Sequence, residues 1–179
     1  IFKKYYVLLL TLCICAFPAT RFVIEIFVSE DYKIAWRYTG FLYLGAVFSA
    51  LCSFLGLGYQ ISRETFRSFW STVLAAFINA GINILTIRWI GLHAASFSTF
   101  VAYVFLLIVR VQHTKRYFKL KIDWKQFMLL LGTAFFMLLV TTFVQNIWFC
   151  IPLEIIAIII LLLMNRTLIR PVIEKFVNR

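Results

Sequence analysis

Two asparagines stand four residues apart in an otherwise apolar run, at Asn79 and Asn83. Residues i and i+4 lie on one face of a helix, so both side-chain amides project in the same direction. In lipid each amide would lose its water partners, which is costly, and the pair is therefore expected to face other helices or a wet cavity. Such a pair either binds a polar group or holds neighbouring helices together by hydrogen bonds.

Glu154 is the one acid enclosed by the apolar run of residues 147–165. Ionisable residues at membrane depth are functional candidates, so Glu154 is a candidate for proton coupling. A structural explanation stays open beside it. Pro152 and Glu154 fit the first turn of a helix, where proline is tolerated and a carboxylate complements the positive end of the helix dipole.

The composition indicates what kind of element positions these side chains. The chain has 179 residues, of which 63% are hydrophobic and 18% aromatic, with a mean hydropathy of +0.94. These values predict an all-α polytopic membrane protein. The net charge of +11 does not indicate nucleic-acid binding, because long charge-free runs separate the basic residues. Since the sequence begins with Ile1, close to its first apolar run, we expect it to be a fragment of a longer protein.

Six apolar runs approach the roughly 20 residues that a helix needs to cross a bilayer. We predict six transmembrane helices over residues 5–20, 38–61, 68–87, 89–109, 126–144 and 147–165. Residues 21–37 are predicted to be a connector that includes a short amphipathic helix at the membrane surface. Residues 110–125 are predicted to be a basic loop, and residues 166–179 a basic tail.

The distribution of Lys and Arg supports this count and sets the orientation. With six spans, fourteen of the eighteen basic residues fall on the side of the N-terminus, Arg110 among them. The other side holds Arg21, Lys33, Arg37 and Arg88. The rule that cytoplasmic loops are rich in Lys and Arg therefore predicts that both ends are cytoplasmic, and no Lys or Arg is predicted strictly within the membrane.

A family resemblance is carried by Asn79, Asn83, Gly91 and the small-residue clusters at 94–95 and 98–99. This pattern resembles polysaccharide exporters of the multidrug/oligosaccharidyl-lipid/polysaccharide (MOP) superfamily, particularly bacterial O-antigen flippases of the Wzx type. The preceding segment "YLGAVFSALCSFLGLGYQISRETFRSFWSTVLAAFIN" (43–79) is similar to that family's helix, basic cytoplasmic turn and next helix. Two positions depart from the pattern, with Arg88 where proline and His93 where glycine is common.

The resemblance implies two helical lobes with a central cavity that opens alternately to each side of the cytoplasmic (inner) membrane. Residues 1–120 would be four helices of the C-terminal lobe, and residues 121–179 a terminal helix pair with its tail. The implied substrate is a lipid-linked oligosaccharide, such as the O-antigen repeat unit of lipopolysaccharide, carried on undecaprenyl diphosphate. Membrane lipids and other polysaccharide-assembly proteins are the implied partners, with no nucleic acid, cofactor or enzymatic activity.

Cationic side chains suit the phosphates of such a substrate, and polar or aromatic ones suit its sugars. The resulting candidates for the cavity are Gln60, Asn79, Asn83, Arg37 and Arg88. Both arginines lie near predicted outer ends, where snorkelling to headgroups is the alternative. Gly56 and Gly58 are hinge candidates, although close packing explains them equally well. Weaker candidates for sugar stacking are Tyr38, Tyr43 and Tyr103.

Three other functions stay open. A drug or cation antiporter of the same superfamily would require more acids deep in the spans than Glu154 alone. A membrane enzyme of polysaccharide assembly would require convergent acids, histidines or arginines, and the outer loops offer Glu25, Glu30 and Asp31. No feature of the sequence specifically indicates a non-catalytic scaffold. The four cysteines (Cys13, Cys15, Cys52 and Cys150) fall in apolar runs without zinc-site spacing, so we predict packing roles and no metal.

Overall fold

The computed structural model describes residues 1–116, 122–143 and 150–166, and most of these residues are helical. Within these ranges six α-helices and one 3₁₀ helix follow in order: α1 (Phe2–Phe27), η1 (Glu30–Ala35), α2 (Trp36–Ile61), α3 (Thr65–Ile90), α4 (His93–Thr114), α5 (Trp124–Phe143) and α6 (Cys150–Met164). The predicted all-α fold is confirmed. The helices α1 to α5 are long and apolar enough to cross a membrane, and α6 is a shorter apolar helix. The protein is therefore a multi-pass membrane protein.

Helix α1 is longer than predicted, because it does not end near Pro18. It continues through Pro18 and Arg21 to Phe27. Proline removes one backbone hydrogen bond, but membrane helices tolerate it where neighbouring groups satisfy the freed backbone. The buried positions Tyr6, Leu10 and Ile14 repeat every four residues before the proline, and Arg21 is buried after it, so packing continues on both sides of the proline.

The connector after α1 also differs from the prediction. Its first part belongs to α1, and the separate element is the six-residue 3₁₀ helix η1. Lys33 pairs there with Glu25 at 3.0 Å and with Glu30 at 2.7 Å. The pair with Glu25 ties η1 back to the end of α1, while the pair with Glu30 lies within η1.

The boundary between α3 and α4 lies later than predicted. Arg88 and Trp89 belong to the last turn of α3, which ends at Ile90. Gly91 adopts φ +55, a left-handed conformation that favours glycine, and Ala94 N–H donates to the Gly91 carbonyl across the turn. Helix α4 then begins at His93 and packs against α3, as the predicted hairpin requires.

The helices form two compact units. One contains α1, η1, α5 and α6, and the other contains α2, α3 and α4. The predicted division put α1 with α2 to α4, whereas the observed contacts put it with α5 and α6. The assignment of residues 1–120 to a transporter lobe stays a prediction.

In the first unit, α1 is the common element that packs against both α5 and α6. Asn165, directly after α6, donates from Nδ2 to Thr11 Oγ1 at 2.8 Å. Both side chains are almost fully buried. A buried amide–hydroxyl contact of this kind fixes the register between two apolar helices, which dispersion forces alone do not specify.

Asp123 begins α5 and joins it to α1. Its Oδ2 accepts from Lys3 Nζ at 3.0 Å, and its Oδ1 accepts from the Gln126 backbone N–H at 3.3 Å. These two hydrogen bonds, that from Lys3 first, lower the pKa of Asp123 from its usual value. A depressed folded-state pKa means that this contribution to stability is present above the unfolded pKa and is lost as pH falls through the folded pKa.

Replacing Asp123 with asparagine is therefore expected to lower the melting temperature in detergent near pH 7 by a small amount. The effect is small because both side chains of the pair are about half exposed. The difference from wild type should shrink as the pH falls below about 4, where the native carboxyl also becomes neutral. A melting-temperature difference that stays constant from pH 7 to pH 3 would contradict this account.

Candidate functional site

The most unusual side chain of the second unit is Arg110, near the end of α4. Arg110 was predicted to lie in a cytoplasmic loop, but α4 continues to Thr114. The side chain is only 8% exposed. It lies on the buried face of α4, which also includes Ala102, Leu106 and Thr114 at spacings of four residues. The predicted start of the basic loop at Arg110 is therefore wrong, while the prediction that no Lys or Arg lies strictly within the membrane stays a prediction.

The Arg110 guanidinium reaches both other helices of the unit. Its Nη1 donates to the Cys52 carbonyl of α2 at 2.6 Å. Its Nη2 donates to Thr72 Oγ1 of α3 at 3.0 Å and lies 3.5 Å from Ser68 Oγ. One side chain from α4 therefore holds polar groups of α2 and α3 together.

The sequence of α2 makes room for this guanidinium. A Cβ at Gly56 would lie 3.1 Å from Arg110 Nη1. The Tyr59 ring lies 5.9 Å from the guanidinium carbon, and the Tyr59 hydroxyl lies 2.9 Å from His113 Nδ1. We call Arg110, Ser68, Thr72, Tyr59 and His113, together with Gly56 and the Cys52 carbonyl, the Arg110 cluster. Gly56 thus has a clear packing role, while the hinge role predicted for it stays a prediction.

The charge of Arg110 has no carboxylate counterpart across the described ranges: the ion pairs there join Lys3, Lys33 and Arg67 to acids. In addition, Arg110 Nε is buried and has no hydrogen-bond partner. Burying an unpaired cation is costly, and its charge is only partly offset by the neutral acceptors around it. Chemically, this arrangement favours the approach of an anion, because a guanidinium can bind phosphate or carboxylate oxygens through charge-assisted hydrogen bonds.

Three of the residues predicted to face a cavity are exposed. Gln60 lies in the last turn of α2, Arg37 in the first turn of α2 and Arg88 in the last turn of α3. No hydrogen bond joins Gln60 to the asparagines of α3 within the described part of the chain. A cavity role for these three residues stays a prediction.

Asn79 and Asn83 are half-buried, and Asn83 Oδ1 is buried without a hydrogen-bond partner. They continue the face of α3 that carries the buried Ser71 and Ala75. The small residues Ala76, Ala80 and Gly81, predicted to allow close helix packing, are instead exposed, and a Cβ at Gly81 would meet nothing within 4 Å. The asparagine face therefore points into the unit, and the exposed small residues lie elsewhere on α3.

The same α3 face continues to an open pocket of about 610 Å³ in the second unit. Its lining residues are Phe41 of α2, Thr86 and Ile90 of α3, and His93 and Phe97 of α4. We call this the aromatic pocket. The His93 ring lies 4.6 Å from that of Tyr38, and the Phe41 ring lies 5.5 Å from that of Phe97.

Glu154 lies in α6, past its first turn, and is half-buried. Its carboxylate lies near the backbone N–H of Ala19, the residue that follows Pro18 in α1. Its Oε2 is buried without a hydrogen-bond partner. The carboxylate therefore lies beside the backbone next to the proline of another helix, which differs from the predicted dipole role in its own first turn.

Cys13 and Cys52 are buried and Cys15 is half-buried, in agreement with packing roles, while the Cys150 side chain lies outside the described residues. Over the described ranges, no three His, Cys, Asp or Glu side chains are grouped as metal ligands. Gly58, the second hinge candidate, is buried in α2, and its carbonyl accepts from Ser62 N–H at 3.0 Å. A hinge role for Gly58 stays a prediction.

Arg110 was missed because positive charge is the usual mark of a span end. Two signals could have identified it: its register with Ala102 and Leu106 on the apolar face of α4, and Gly56, Ser68 and Thr72 on the facing helices. No protein-family model, curated protein or solved structure matches this chain.

Proposed function

We propose that this chain is part of a membrane transporter that flips a lipid-linked oligosaccharide, carried on undecaprenyl diphosphate, across the bacterial cytoplasmic membrane by alternating access. The observation that carries the proposal is Arg110, a buried cation without a carboxylate partner among the described residues of a multi-helix membrane unit. Ionisable side chains in such positions mark substrate or ion pathways. Their burial lowers stability, and an apolar side chain would fill the same space without that cost.

The charge and geometry of Arg110 suit the diphosphate of this substrate class. Guanidinium binds phosphate oxygens through short, charge-assisted hydrogen bonds. A phosphate that approaches the Arg110 cluster can replace the neutral hydroxyls of Ser68 and Thr72, which are weaker acceptors. Arg110 can then exchange its hydrogen bonds with α3 for hydrogen bonds with the substrate. Alternating access requires contacts between helices that can break and re-form in this way.

The half-buried Asn79 and Asn83 lie on the inward face of the same α3 helix. Their amides can donate to and accept from sugar hydroxyls, which supports an oligosaccharide rather than a wholly apolar substrate. The unpartnered Oδ1 of Asn83 is an acceptor available for this purpose. The resemblance of about residues 5–120 to O-antigen flippases supports the same substrate class.

A drug or cation antiporter is the second candidate, and Glu154 favours it. An antiporter needs an acid that changes its charge within the membrane, and Glu154 Oε2 is buried without a hydrogen-bond partner. The contact of the carboxylate with Ala19 gives Glu154 a structural role as well. One acid with such a role supports an antiporter less than Arg110 supports a phosphate-bearing substrate.

An enzyme is less well supported than either transporter. Of its three expected acids in the connector, Glu25 and Glu30 form ion pairs with Lys33, and Asp31 is exposed. The orientation that fits a flippase has both ends of the chain in the cytoplasm, as the distribution of Lys and Arg predicts. Arg110 then lies on the side where the lipid-linked substrate is made, and proteins that assemble or polymerise the glycan are the partners we propose.

Deleting the gene in its source bacterium tests the proposal. Lipid-linked oligosaccharide should accumulate on the cytoplasmic leaflet, out of reach of a membrane-impermeant glycan-oxidising reagent applied to spheroplasts. A plasmid copy of the gene should restore both labelling and surface glycan. Normal labelling with increased drug sensitivity would favour the antiporter, and normal labelling with normal drug sensitivity would overturn both transporter candidates.

A further inference from the structure

The aromatic pocket and the helix ends around it combine an apolar cavity with positive charge. The atoms that face its volume of about 610 Å³ are apolar, although Thr86 and His93 are among the residues that line it. The pocket is open rather than enclosed, so a flexible chain can enter it from the side. In a helix bundle that lies in a bilayer, the surrounding solvent at such an opening is hydrocarbon.

Positive charge lies one helical turn from this pocket. Arg37 precedes Phe41 by four residues, so the two side chains share a face of α2, about 6 Å apart along its axis. Arg37 is exposed and lies in the first turn of α2, close to the end of a candidate membrane span. Arginine at this level meets phosphate headgroups while its helix stays in the hydrocarbon.

The start of α4 adds a second attraction for an anion. Helix α4 begins at His93, a pocket-lining residue, and no side chain caps its first N–H groups. Ala94 N–H donates to the Gly91 carbonyl, and the helix dipole favours negative charge at this end of α4. The tilted contact of His93 with Tyr38 places both rings at the same end of the unit.

We propose that the aromatic pocket binds one phospholipid of the surrounding bilayer, with an acyl chain against Phe41, Ile90 and Phe97 and its phosphate at Arg37. The combination of apolar lining, one-turn spacing and cation fits an anionic amphiphile. A sugar would find no polar lining in this pocket, and a free phosphate would leave it unfilled. This site does not depend on the proposed transport function, because any membrane protein in a bilayer meets phospholipid.

Native mass spectrometry of the purified chain with phosphatidylglycerol tests the site. Thr86→Phe adds a bulky ring to the pocket wall, whereas Ala80→Phe adds one to an exposed position of the same helix. We expect Thr86→Phe to lower the fraction of chains with one tightly bound lipid at least about 5-fold, and Ala80→Phe to leave it unchanged. If the two variants bind lipid equally, the aromatic pocket does not hold the acyl chain.

The headgroup contact has its own matched pair. Arg37→Gln should weaken phosphatidylglycerol binding about 5-fold, while Arg88→Gln, an equally exposed arginine in the last turn of α3, should not. If neither Arg37→Gln nor Arg88→Gln weakens binding, Arg37 is not the phosphate partner. Displacement of phosphatidylglycerol by undecaprenyl phosphate at a much lower concentration would overturn bilayer phospholipid as the occupant.

Discussion

Arg110→Gln is expected to slow translocation of the lipid-linked oligosaccharide about 10- to 100-fold. A charge-assisted hydrogen bond contributes about 1.5–3 kcal/mol, and each 1.4 kcal/mol or so corresponds to about tenfold in rate. Glutamine keeps a polar group in the Arg110 cluster but removes the positive charge that attracts phosphate. The measurement is the rate at which oligosaccharide becomes accessible to the impermeant reagent in spheroplasts, normalised to the amount of protein in the membrane.

A second substitution at the same position, Arg110→Met, separates a functional arginine from a structural one. Thr72 Oγ1 also donates to the Ser68 carbonyl at 3.0 Å, so it keeps a partner without Arg110. The Cys52 carbonyl lies within α2 and keeps its helical hydrogen bond. Arg110→Met should therefore leave the melting temperature in detergent unchanged or raise it, because an apolar side chain that replaces an unpaired buried charge costs no desolvation.

Two controls sharpen the result. Arg110→Lys retains the charge but loses the planar fork that joins α2 and α3, so it should retain an intermediate rate. Arg116→Gln removes an exposed arginine just after the same helix and should change neither rate nor stability. If Arg110→Gln and Arg110→Met both lower the melting temperature by many degrees, and translocation falls only with protein level, then Arg110 is a structural clamp.

The helices themselves were predictable from sequence because long apolar runs leave a membrane protein few alternatives. Their ends were less predictable. The positive charge of Arg110 predicts that α4 ends before it, and Pro18 predicts that α1 ends nearby, but both helices continue. In each case another helix meets the group that would otherwise stop the helix. Groups of α2 and α3 accept hydrogen bonds from the Arg110 guanidinium, and the Glu154 carboxylate of α6 lies near the backbone after the proline.

The candidate site was also only partly predictable from the sequence. The i, i+4 spacing of Asn79 and Asn83 predicted a shared inward face, and both are half-buried. That spacing describes one helix, whereas the Arg110 cluster depends on residues 38 to 58 positions apart in sequence. The grouping of α1 with α5 and α6 is likewise set by contacts over more than 100 residues, such as Asn165 with Thr11, which local hydrophobic patterns do not encode.

A second large effect is expected where α6 meets the proline of α1. Pro18 has no N–H for the Ile14 carbonyl, and the N–H of the next residue, Ala19, lies near the Glu154 carboxylate. Glu154→Leu removes that acceptor from an apolar environment, and an unsatisfied buried donor costs about 1–3 kcal/mol. Pro18→Ala should restore regular hydrogen bonds within α1, so Glu154→Leu should then cost little.

A double-mutant cycle on Pro18 and Glu154 measures this dependence as a coupling free energy of unfolding, expected at about 1–2 kcal/mol. Unfolding in mixed micelles of a mild detergent and dodecyl sulfate provides the four free energies. Glu154→Gln, which keeps a neutral acceptor oxygen, should lose about half as much stability as Glu154→Leu. Glu30→Leu is the control, since Glu30 is 86% exposed and should not couple to Pro18. If Glu154→Leu lowers the free energy of unfolding equally with proline or alanine at position 18, the carboxylate does not compensate for the proline. A change of its charge within the membrane then becomes the better explanation.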